Sequence, residues 1–309
     1  MKRTLFVRWF LNFNSASLRG SAVYIALLHI YRRAAAERRE DFQNKTLLLI
    51  IGAQLIAFWP VWRWYAVRIG DSADQSWGIL ALLTALLFVL SKKSSARAIE
   101  RSLTIPTLIV LLYVVTYPVF PPLARAGVAF TAIAVTVSVV RFGKPFHPGV
   151  LGLLWLSLPL VPSLQFYLGY PLRLLVAGLA APILRLGGFA VVQEGTCLNW
   201  AGQLIWIDAP CSGVRMLWVG LYLTFTLVCF YELRLFKTLV FLLAALVAIL
   251  AGNVFRAVAL FYLESGVFPM PAWAHGYTGL VAFALVATGI VAAVHFIRRE
   301  KLCGELLST

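Results

Sequence analysis

Charged residues are scarce in this sequence, and acidic residues are the scarcest of them. Of its 309 residues, 13% are charged and 61% are hydrophobic, with 12 acidic side chains against 27 lysines and arginines. A soluble domain carries about 25% charged residues, so this composition excludes an ordinary soluble domain. The mean hydropathy of +0.86 agrees with this conclusion. The sequence therefore predicts a polytopic membrane protein.

Cysteine and histidine are also few, with four of each. The cysteines show no Cys-x-x-Cys spacing and no histidines at zinc spacing, which argues against a metal site. So few thiols in so long a chain do not indicate a disulfide framework either. The sequence thus predicts no metal and no cofactor. The N-terminus lacks a clean apolar core and a small-residue cleavage site, so we expect no removable signal peptide.

The net charge of +15 could indicate a nucleic-acid partner, but the distribution of the basic residues does not. These residues form clusters that flank apolar runs, as in the positive-inside pattern of membrane proteins. The sequence has no basic stripe with interleaved aromatic residues, so we expect no nucleic acid among its partners. The ten tryptophans, eleven tyrosines and twenty-one phenylalanines suit the aromatic belts of a protein in a lipid bilayer.

The apolar runs predict an all-α membrane protein with about eight transmembrane helices. A spanning helix needs about 20 apolar residues. The candidate spans cover residues 46–64, 77–90, 103–120, 127–140, 149–164, 214–231, 238–252 and 277–297. Residues 1–45 are strongly basic, and their apolar piece 23–30 is too short to cross, so we expect a cytoplasmic or interfacial segment. Residues 298–309 form a basic cytoplasmic tail.

Residues 165–210 interrupt the series of spans, and we expect them to form a small extracytoplasmic segment before the sixth. The apolar piece 174–184 lies between two arginines and is too short to cross. We therefore expect a short helix on the membrane surface, which ends at the glycine pair 187–188. Beyond it, Gly195 and Gly202 mark turns between short extended pieces that lead towards the sixth span.

The basic clusters predict the orientation of the chain. With eight spans, one side receives the clusters at the N-terminus and around residues 92–101, 141–144, 234–237 and 298–301. The positive-inside rule makes that side cytoplasmic, so both termini are expected there. The same count brings Cys211, Arg256 and His275, from three separate loops, to the opposite, extracytoplasmic face.

A small polar cluster at residues 208–216, Asp-Ala-Pro-Cys-Ser-Gly-Val-Arg-Met, immediately precedes the sixth span. A helix that Pro210 opens would place Cys211 one or two positions inside its first turn, with Asp208 as the N-cap. Unpaired backbone N–H groups and the helix dipole lower the pKa of a thiol at such a position. The sequence therefore predicts a nucleophilic Cys211 thiolate.

Arg256 and His275 complete a candidate catalytic set. An ionisable residue at membrane depth costs about 2.5–3.5 kcal/mol, so pairing or function must retain Arg256 near the outer end of its span. Its guanidinium can hold a thiolate or hydrogen-bond the oxyanion of a tetrahedral intermediate. The imidazole of His275, with an ordinary pKa of about 6.5, can take up the thiol proton and return it to a leaving amine.

Three further residues are possible supporting residues. Arg215 is either a second clamp for an oxyanion or carboxylate, or the partner of an acidic side chain. Asp208 is either a helix N-cap, which is the simpler interpretation, or a third catalytic residue that orients His275. Asn253 caps a helix or bridges two helices by hydrogen bonding. The three main candidates also have ordinary interpretations, as an interfacial arginine, a loop histidine and a small buried cysteine.

Two motifs and one histidine resemble the exosortase/archaeosortase family of integral-membrane cysteine transpeptidases. They are Pro-Cys-Ser-Gly-Val-Arg at residues 210–215, Asn-Val-Phe-Arg at residues 253–256, and the single histidine that opens the last span. The Val-Gln-Glu-Gly turn at residues 192–195 is also similar to the family's pre-cysteine segment. The resemblance covers about residues 160–297, and the first four spans match only in general character.

The resemblance implies a catalytic triad of Cys211, Arg256 and His275 on the extracytoplasmic side. It further implies membrane-anchored protein substrates that end in a short recognition motif of the PEP-CTERM type, a spanning helix and a basic tail. Processing would remove the tail and transfer the protein to a new acceptor during export, often alongside exopolysaccharide production. Archaeal members often have arginine at the position of His275, so the resemblance favours the bacterial branch, in an inner membrane with the site facing the periplasm.

Other interpretations stay open on the sequence alone. Cys197 and Cys211 are expected on the same oxidising side, where a disulfide between them would silence the nucleophile. A membrane transporter or channel is the common alternative for eight apolar spans, although the intramembrane charges gather at one outer mouth and no inverted repeat is visible. A non-catalytic component of polysaccharide or protein export is the third interpretation.

Overall fold

The computed structural model of the protein describes residues 22–70, 77–92, 104–206, 213–266, 271 and 274–306. The helices in these ranges are α1 Ala22–Ala57, α2 Trp59–Gly70, α3 Trp77–Ser91, α4 Thr104–Thr116, α5 Pro122–Phe142, α6 Pro148–Leu156, α7 Val161–Leu186, α8 Val214–Tyr231, α9 Leu235–Glu264 and α10 Ala274–Leu306. A small sheet lies between α7 and α8 in the chain, with strands β1 Val192–Glu194, β2 Cys197–Trp200 and β3 Gln203–Trp206.

Five of the described helices are long and apolar enough to cross a membrane. They are α5, α7, α8, α9 and the part of α10 from Gly276 to Arg299. Three shorter apolar helices, Leu48–Ala57, α3 and α4, fall on the first three predicted spans. The prediction of a helical, polytopic membrane protein is thereby confirmed, and α8 has the bounds predicted for the sixth span. The total of eight spans stays a prediction.

The middle of the chain differs from the predicted helices. The predicted fifth span, residues 149–164, is the short helix α6 followed by a break, and the predicted separate helix 174–184 is the second half of α7. The positions of two prolines explain the difference. Pro159 lies in the break, while Pro162 lies in the first turn of α7, where proline costs no intrahelical hydrogen bond. The end of α7 at Leu186, with the predicted glycine pair after it, is as expected.

Helices α1 and α9 extend well beyond the predicted pieces. The apolar piece 23–30 and residues 46–57 of the first span are parts of one helix, α1, because residues 31–45 are rich in alanine, arginine and glutamate, which favour helix. The last residues of the predicted first span lie in α2. The predicted seventh span stops at residue 252, but α9 continues to Glu264 because residues 253–264 contain neither glycine nor proline. Arg256 therefore lies within a helix and not in a loop.

Close helix contacts hold the centre of the bundle together. Helix α6 packs along α8, where a Cβ atom on Gly149 would meet the Cys229 sulfur at 2.5 Å and one on Gly152 would overlap the Phe225 ring. Small residues allow backbones to approach closely where lipid removes the hydrophobic driving force for association. Trp218, near the start of α8, is 2% exposed and donates a hydrogen bond to the Leu156 carbonyl at 3.2 Å. These contacts fix α8 relative to α6 from its first turns to its last.

Basic loops meet at one end of the bundle. Glu232, directly after α8, forms ion pairs with Lys92 after α3 and with Lys144 after α5, the latter at 3.7 Å. Arg141 donates a hydrogen bond to the Val89 carbonyl near the end of α3 at 3.1 Å. One carboxylate thus joins the basic loops that follow α3 and α5.

Two more basic residues lie at the same end. Lys237 in the first turn of α9 donates a hydrogen bond to the Ile297 carbonyl of α10 at 3.0 Å. The guanidinium carbon of Arg298 lies 4.0 Å from the centroid of the Tyr231 ring at the end of α8. Four of the predicted basic clusters therefore share one end of the molecule, which confirms that part of the prediction. That this end is cytoplasmic stays a prediction.

The sheet is antiparallel, in the order β1-β2-β3, and both of its turns contain a predicted glycine. Gly195, at φ +60°, is the first central residue of the turn between β1 and β2. Ala201 and Gly202, at φ +53° and +81°, form the turn between β2 and β3. Two-residue turns with positive φ match the twist of the paired strands, which is why glycine marks these positions.

The sheet packs on α7 and on the C-terminal part of α9. Leu198 and Ile205 are 1% and 4% exposed and contact a cluster that includes Phe261 of α9. The ring of Phe189, which precedes β1, lies edge-on to Phe261 with ring centroids 5.3 Å apart. The Gln203 side chain donates a hydrogen bond to the Glu264 carbonyl at 3.3 Å, at the last residue of α9. The sheet is therefore attached to the end of α9 that lies opposite the basic loops.

Candidate functional site

The structure describes some of the predicted site residues and not others. Asp208 and Cys211 lie outside the described residues. His275 is the second residue of α10, and the structure describes its backbone but not its side chain. Arg215, Asn253 and Arg256 are described in full. The described part of the site therefore consists of residues that flank Cys211 and His275 and of α9, which carries Asn253 and Arg256.

Helix α8 begins later than the sequence predicted. Its first residue is Val214 and its N-cap is Gly213, so Pro210 does not open the helix and Asp208 is not its N-cap. Gly213 has φ +80°, a backbone conformation that glycine adopts without steric cost and that other residues rarely adopt. Cys211 accordingly precedes the first helical residue by three positions. The predicted position of Cys211 inside the first turn of a helix falls outside the described residues and stays a prediction.

Gly213 lies directly against Asn253 of α9. A Cβ atom on Gly213 would overlap the amide nitrogen of Asn253 and would lie 2.8 Å from its Cγ. Asn253 is 4% exposed, so this amide fills the space that a side chain at residue 213 would need. The glycine is therefore required twice, by the backbone conformation and by the close approach of the asparagine. Asn253 thus packs against the start of α8, and its predicted role, to cap a helix or to bridge two helices by hydrogen bonding, stays a prediction.

Arg256 lies one helical turn beyond Asn253 on α9. A Cβ atom on Gly279 of α10 would lie 3.7 Å from the Arg256 Cζ and Nε atoms, so the guanidinium packs on the backbone of that helix. The side chain is half-buried. Residues three or four positions apart lie on one face of a helix, so Asn253 and Arg256 project from the same side of α9.

The close approach of α9 and α10 depends on a second glycine. A Cβ atom on Gly252 would overlap the side chain of Val286 and would lie 3.4 Å from the Ala282 carbonyl oxygen. Ala282 and Val286 are 0% and 2% exposed. The two helices are thus in direct contact one turn below Arg256, so the backbone that carries Arg256 has a fixed position relative to α10.

The site lies well below the end of α9. Eleven residues separate Asn253 from Glu264, which corresponds to about 16 Å of helix at 1.5 Å per residue. The sheet covers this last part of α9, as the contacts of Phe261 and Glu264 show. Asn253 and Arg256 therefore lie within the helical part of the molecule, on the side of α9 that contacts α8 and α10.

Arg215 does not share this position. It is the second residue of α8 and is exposed, whereas its neighbours Val214 and Met216 are 1% and 8% exposed. The first turn of α8 thus turns its apolar residues inward and Arg215 outward. A basic residue in the first turn is unfavourable with respect to the helix dipole, so Arg215 gains nothing from the helix itself. Its predicted supporting role stays a prediction.

Cys197 is a buried free cysteine in β2, 6% exposed. The alternative of a disulfide with Cys211 is therefore not realised in the structure. The thiol is opposite Glu194 on one neighbouring strand and opposite Trp206 on the other. Its burial makes it a packing residue of the sheet, with the character of a small hydrophobe.

An open apolar groove of about 580 Å³ lies between α7 and α9. Its lining includes Leu179 and Ile183 of α7 and Val247, Phe255 and Val258 of α9. All its lining residues are apolar, and neither Asn253 nor Arg256 contributes to it. The groove therefore belongs to the α7 side of α9, whereas Arg256 contacts the α10 side.

Sequence reasoning missed the residues that position the site. Gly213 and Gly279 make the contacts that fix Asn253 and Arg256, and neither was a candidate. The signal for Gly213 was present, because a glycine directly before an apolar run is a helix boundary as readily as a preceding proline. Gly279 lies within an apolar run with other small residues, and such a pattern does not reveal which glycine receives a guanidinium.

The chemistry that this arrangement supports depends on the hydrogen-bond donors of the Arg256 guanidinium. A guanidinium is permanently charged and offers five N–H donors in a planar fork, which suits a carboxylate, a thiolate or an oxyanion. A packed position against α10 orients this fork before any substrate binds. Preorganised donors of this kind stabilise charge that develops during acyl transfer.

Comparison with known proteins agrees with this chemistry. The sequence matches the model of the transmembrane exosortase family over residues 36–292. The match begins in α1, so it includes the first four predicted spans, which the motifs alone did not reach. No curated protein and no solved structure gives a match. Proteins of this kind are in general sorting transpeptidases that use a cysteine. The chain belongs to the transmembrane exosortase family.

Proposed function

We propose that this protein is a membrane-embedded cysteine transpeptidase or peptidase that cleaves the C-terminal sorting segments of exported proteins. Cys211 is the nucleophile, and Arg256 and His275 complete the site, which faces the extracytoplasmic side. The observation that carries the proposal is that one face of α9 contacts both the entrance of α8 and the first turns of α10, through Asn253 and Arg256.

The sequence links these contacts to the proposed catalytic residues. Gly213 follows Cys211 by two residues, and Cα atoms along the chain are about 3.8 Å apart, so the two Cα atoms are separated by at most about 7.6 Å. Gly279 follows His275 by one helical turn of α10, and positions i and i+4 share a face of a helix. The Arg256 guanidinium lies beside Gly279, where a Cβ atom would be 3.7 Å from its Cζ atom. These constraints support a site formed by all three residues.

The proposed reaction is acyl transfer through a thioester. The Cys211 thiolate attacks the carbonyl carbon of the scissile peptide bond, and the guanidinium of Arg256 donates hydrogen bonds to the oxyanion that forms. The C–N bond then breaks, and protonated His275 gives its proton to the leaving nitrogen, which departs with the apolar helix and the basic tail. The new bond joins the substrate acyl group to the Cys211 sulfur.

The second half of the reaction releases the product. An amine of the acceptor, or water, attacks the thioester carbonyl and gives its proton to His275, while the oxyanion is again held by Arg256. The C–S bond breaks and the Cys211 thiolate is regenerated. Atoms and charge balance in each half, and the histidine ends in its protonated starting state. No cofactor or metal takes part in this scheme.

Mass measurement of a substrate tests the proposal. The probe is a reporter protein that ends in a short motif, an apolar helix and a basic tail taken from the same genome, co-expressed with the full chain. We expect the reporter to lose its tail with the wild-type protein. Cys211→Ala should abolish cleavage. Arg256→Ala and His275→Ala should each lower it at least 100-fold, since an oxyanion donor contributes about 10²–10³ in rate and a general acid about 10²–10⁴.

Matched variants at the other end of the bundle serve as controls. Cys229→Ala removes a buried thiol that packs on Gly149, and Arg298→Ala removes a guanidinium that stacks on Tyr231. Both should insert in the membrane and process the reporter as the wild type does. Full processing by Cys211→Ala at normal protein levels would contradict the proposal, as would equal losses from the catalytic and the control variants.

A further inference from the structure

Strand β3 is an edge of the sheet. Among the strands that the structure describes, the order β1-β2-β3 leaves one side of β3 paired with β2 and the other side without a neighbouring strand. Among the described residues, no backbone group outside the sheet forms a hydrogen bond with residues 203–206. An edge of this kind presents a row of N–H and C=O groups that a further strand can pair with.

The geometry of the hairpin identifies the outward groups. Trp200 and Gln203 flank a two-residue turn, so they form a hydrogen-bonded pair, and such pairs alternate along an antiparallel ladder. Ile205 is then paired with Leu198, while the backbone groups of Leu204 and Trp206 point away from β2. The outer edge of β3 therefore offers two N–H donors and two carbonyl acceptors.

The side chains of β3 leave this edge unprotected. Natural sheets guard exposed edges with lysine, proline or other charged residues. The strand reads Gln-Leu-Ile-Trp and contains neither a charge nor a proline, whereas the opposite edge, β1, carries Glu194. Leu204 and Trp206 are 44% and 62% exposed and lie on the sheet face directed away from the core. An apolar, uncharged edge suits a peptide partner better than it suits water.

The edge also leads to the proposed nucleophile. Trp206, the last residue of β3, precedes Cys211 by five positions in the sequence. At its other end, β3 is fixed to α9 through the hydrogen bond from Gln203 to the Glu264 carbonyl. Helix α9 carries Arg256, so the edge and the guanidinium belong to one framework. A peptide aligned along β3 would therefore be directed towards the proposed site.

We infer that an extended stretch of the protein substrate binds as a fourth strand along the outer edge of β3. This inference rests on the proposed function. The occupant is the segment of the substrate that precedes its apolar helix, because backbone groups close to the bilayer need hydrogen-bond partners and an extended segment has none of its own. Strand addition supplies backbone affinity, and side chains at alternate positions are read by Leu204 and Trp206.

Substitution of Leu204 tests the backbone contribution. Leu204→Pro removes an outward N–H and adds a ring at the edge, while the β2–β3 ladder keeps its bonds, since proline is tolerated on edge strands. Leu204→Ala removes the side chain and keeps the N–H. With the reporter protein described above, we expect Leu204→Pro to lower kcat/KM about tenfold or more and Leu204→Ala to lower it less, by about threefold.

Cross-linking tests the strand arrangement directly. Leu204→Cys in a Cys211→Ala background is paired with a series of single cysteines placed along the reporter segment before its apolar helix. Residues of one face recur every second position along a strand, so a disulfide should form at the reporter position opposite residue 204 and, more weakly, at the positions two residues to either side. Cys197 is buried and serves as the internal background control.

The outcomes separate this inference from the proposed function. Cross-links with a period of three to four positions, or none, would overturn strand addition even if Cys211→Ala abolishes cleavage. Equal losses for Leu204→Pro and Leu204→Ala would assign β3 to side-chain contact with the lipid interface instead. If Cys211→Ala leaves cleavage intact, the proposed function fails, whatever the cross-linking pattern.

Discussion

Gly213→Ala is the substitution that tests the described geometry most directly. At φ +80° an alanine costs about 1–2 kcal/mol in backbone conformation. Its Cβ atom would also overlap the Asn253 amide, whose oxygen lies 3.3 Å from the same point. Extra atoms in a packed interior cost about 1–3 kcal/mol. The folded state must therefore lose about 2–5 kcal/mol or shift the entrance of α8 away from α9.

A matched control separates the two contributions. Gly188 has φ +90°, and a Cβ atom there would meet nothing within 4 Å, so Gly188→Ala carries the backbone cost without the overlap. Both variants should unfold at lower temperature in detergent. We expect the loss of reporter cleavage to be confined to Gly213→Ala, because a shift of about 1 Å in the position of a catalytic group costs about 10²-fold.

The refuting result for Gly213→Ala is specific. If Gly213→Ala and Gly188→Ala lower the unfolding temperature equally and both keep reporter cleavage, the Asn253 contact does not position the entrance of α8. Asn253→Ala in the Gly213→Ala background adds a second measurement. Removal of the amide creates room for the new Cβ atom, so part of the lost cleavage should return if overlap is the cause.

Two further predictions concern the end where the basic loops meet. Glu232→Gln removes the partner of Lys92 and Lys144. Because the three side chains are more than a third exposed, we expect the unfolding free energy to fall by about 1 kcal/mol or less. This loss should disappear at high salt. The hydrogen bond from Lys92 lowers the pKa of the Glu232 carboxyl, so this contribution is present above the carboxyl's ordinary pKa and is lost as pH falls through its lowered value. Burial and then the charge of Lys144 lower the pKa of His147 to about 4, so the folded state holds a neutral imidazole and loses up to about 3 kcal/mol as pH falls from about 6.5 to 4. His147→Asn keeps an N-cap acceptor for the Val150 N–H and should flatten this part of the curve of unfolding free energy against pH; an unchanged slope would contradict the assignment.

The features that could be predicted from the sequence are those set by composition along the chain. The bounds of α8 follow from the apolar run that lies between Gly213 and Glu232. The meeting of the basic clusters at one end follows from their alternation with spans, since each crossing changes the side. The turns at Gly195 and Gly202 follow from local conformation alone. In each case the determining interaction is local or is imposed by the membrane.

The features that could not be predicted depend on contacts between distant segments. A proline can end a helix, kink it or open the next one, and Pro159 and Pro162 do not reveal which until α6 has packed on α8. The start of α8 at Val214 likewise depends on Asn253, forty residues further on, which occupies the space beside Gly213. The sequence predicted that Asn253 caps a helix or bridges two helices, but it could not identify Gly213 as the residue that Asn253 packs against. Only the three-dimensional contact identifies it.

Helix α9 explains why these distant contacts produce one site. It is continuous from Leu235 to Glu264, so the residues along it keep fixed distances from one another. At one end Lys237 ties it to α10 among the basic loops, and at the other Glu264 accepts a hydrogen bond from the sheet. Asn253 and Arg256 lie between these attachments and contact α8 and α10.

The continuity of α9 bears on the geometry of the proposed reaction. The strand edge that would align the substrate and the guanidinium that would stabilise the oxyanion are both attached to α9, so one helix sets the distance between their attachment points. Catalytic groups must be held to within about 0.5 Å of their working geometry, and rigid elements achieve this better than loops. Cys211 belongs to a loop, and the close contact of Gly213 with Asn253 ties the end of that loop to α9. A sequence that kept Cys211, Arg256 and His275 but lost Gly213 or Asn253 should therefore insert in the membrane without processing its substrate.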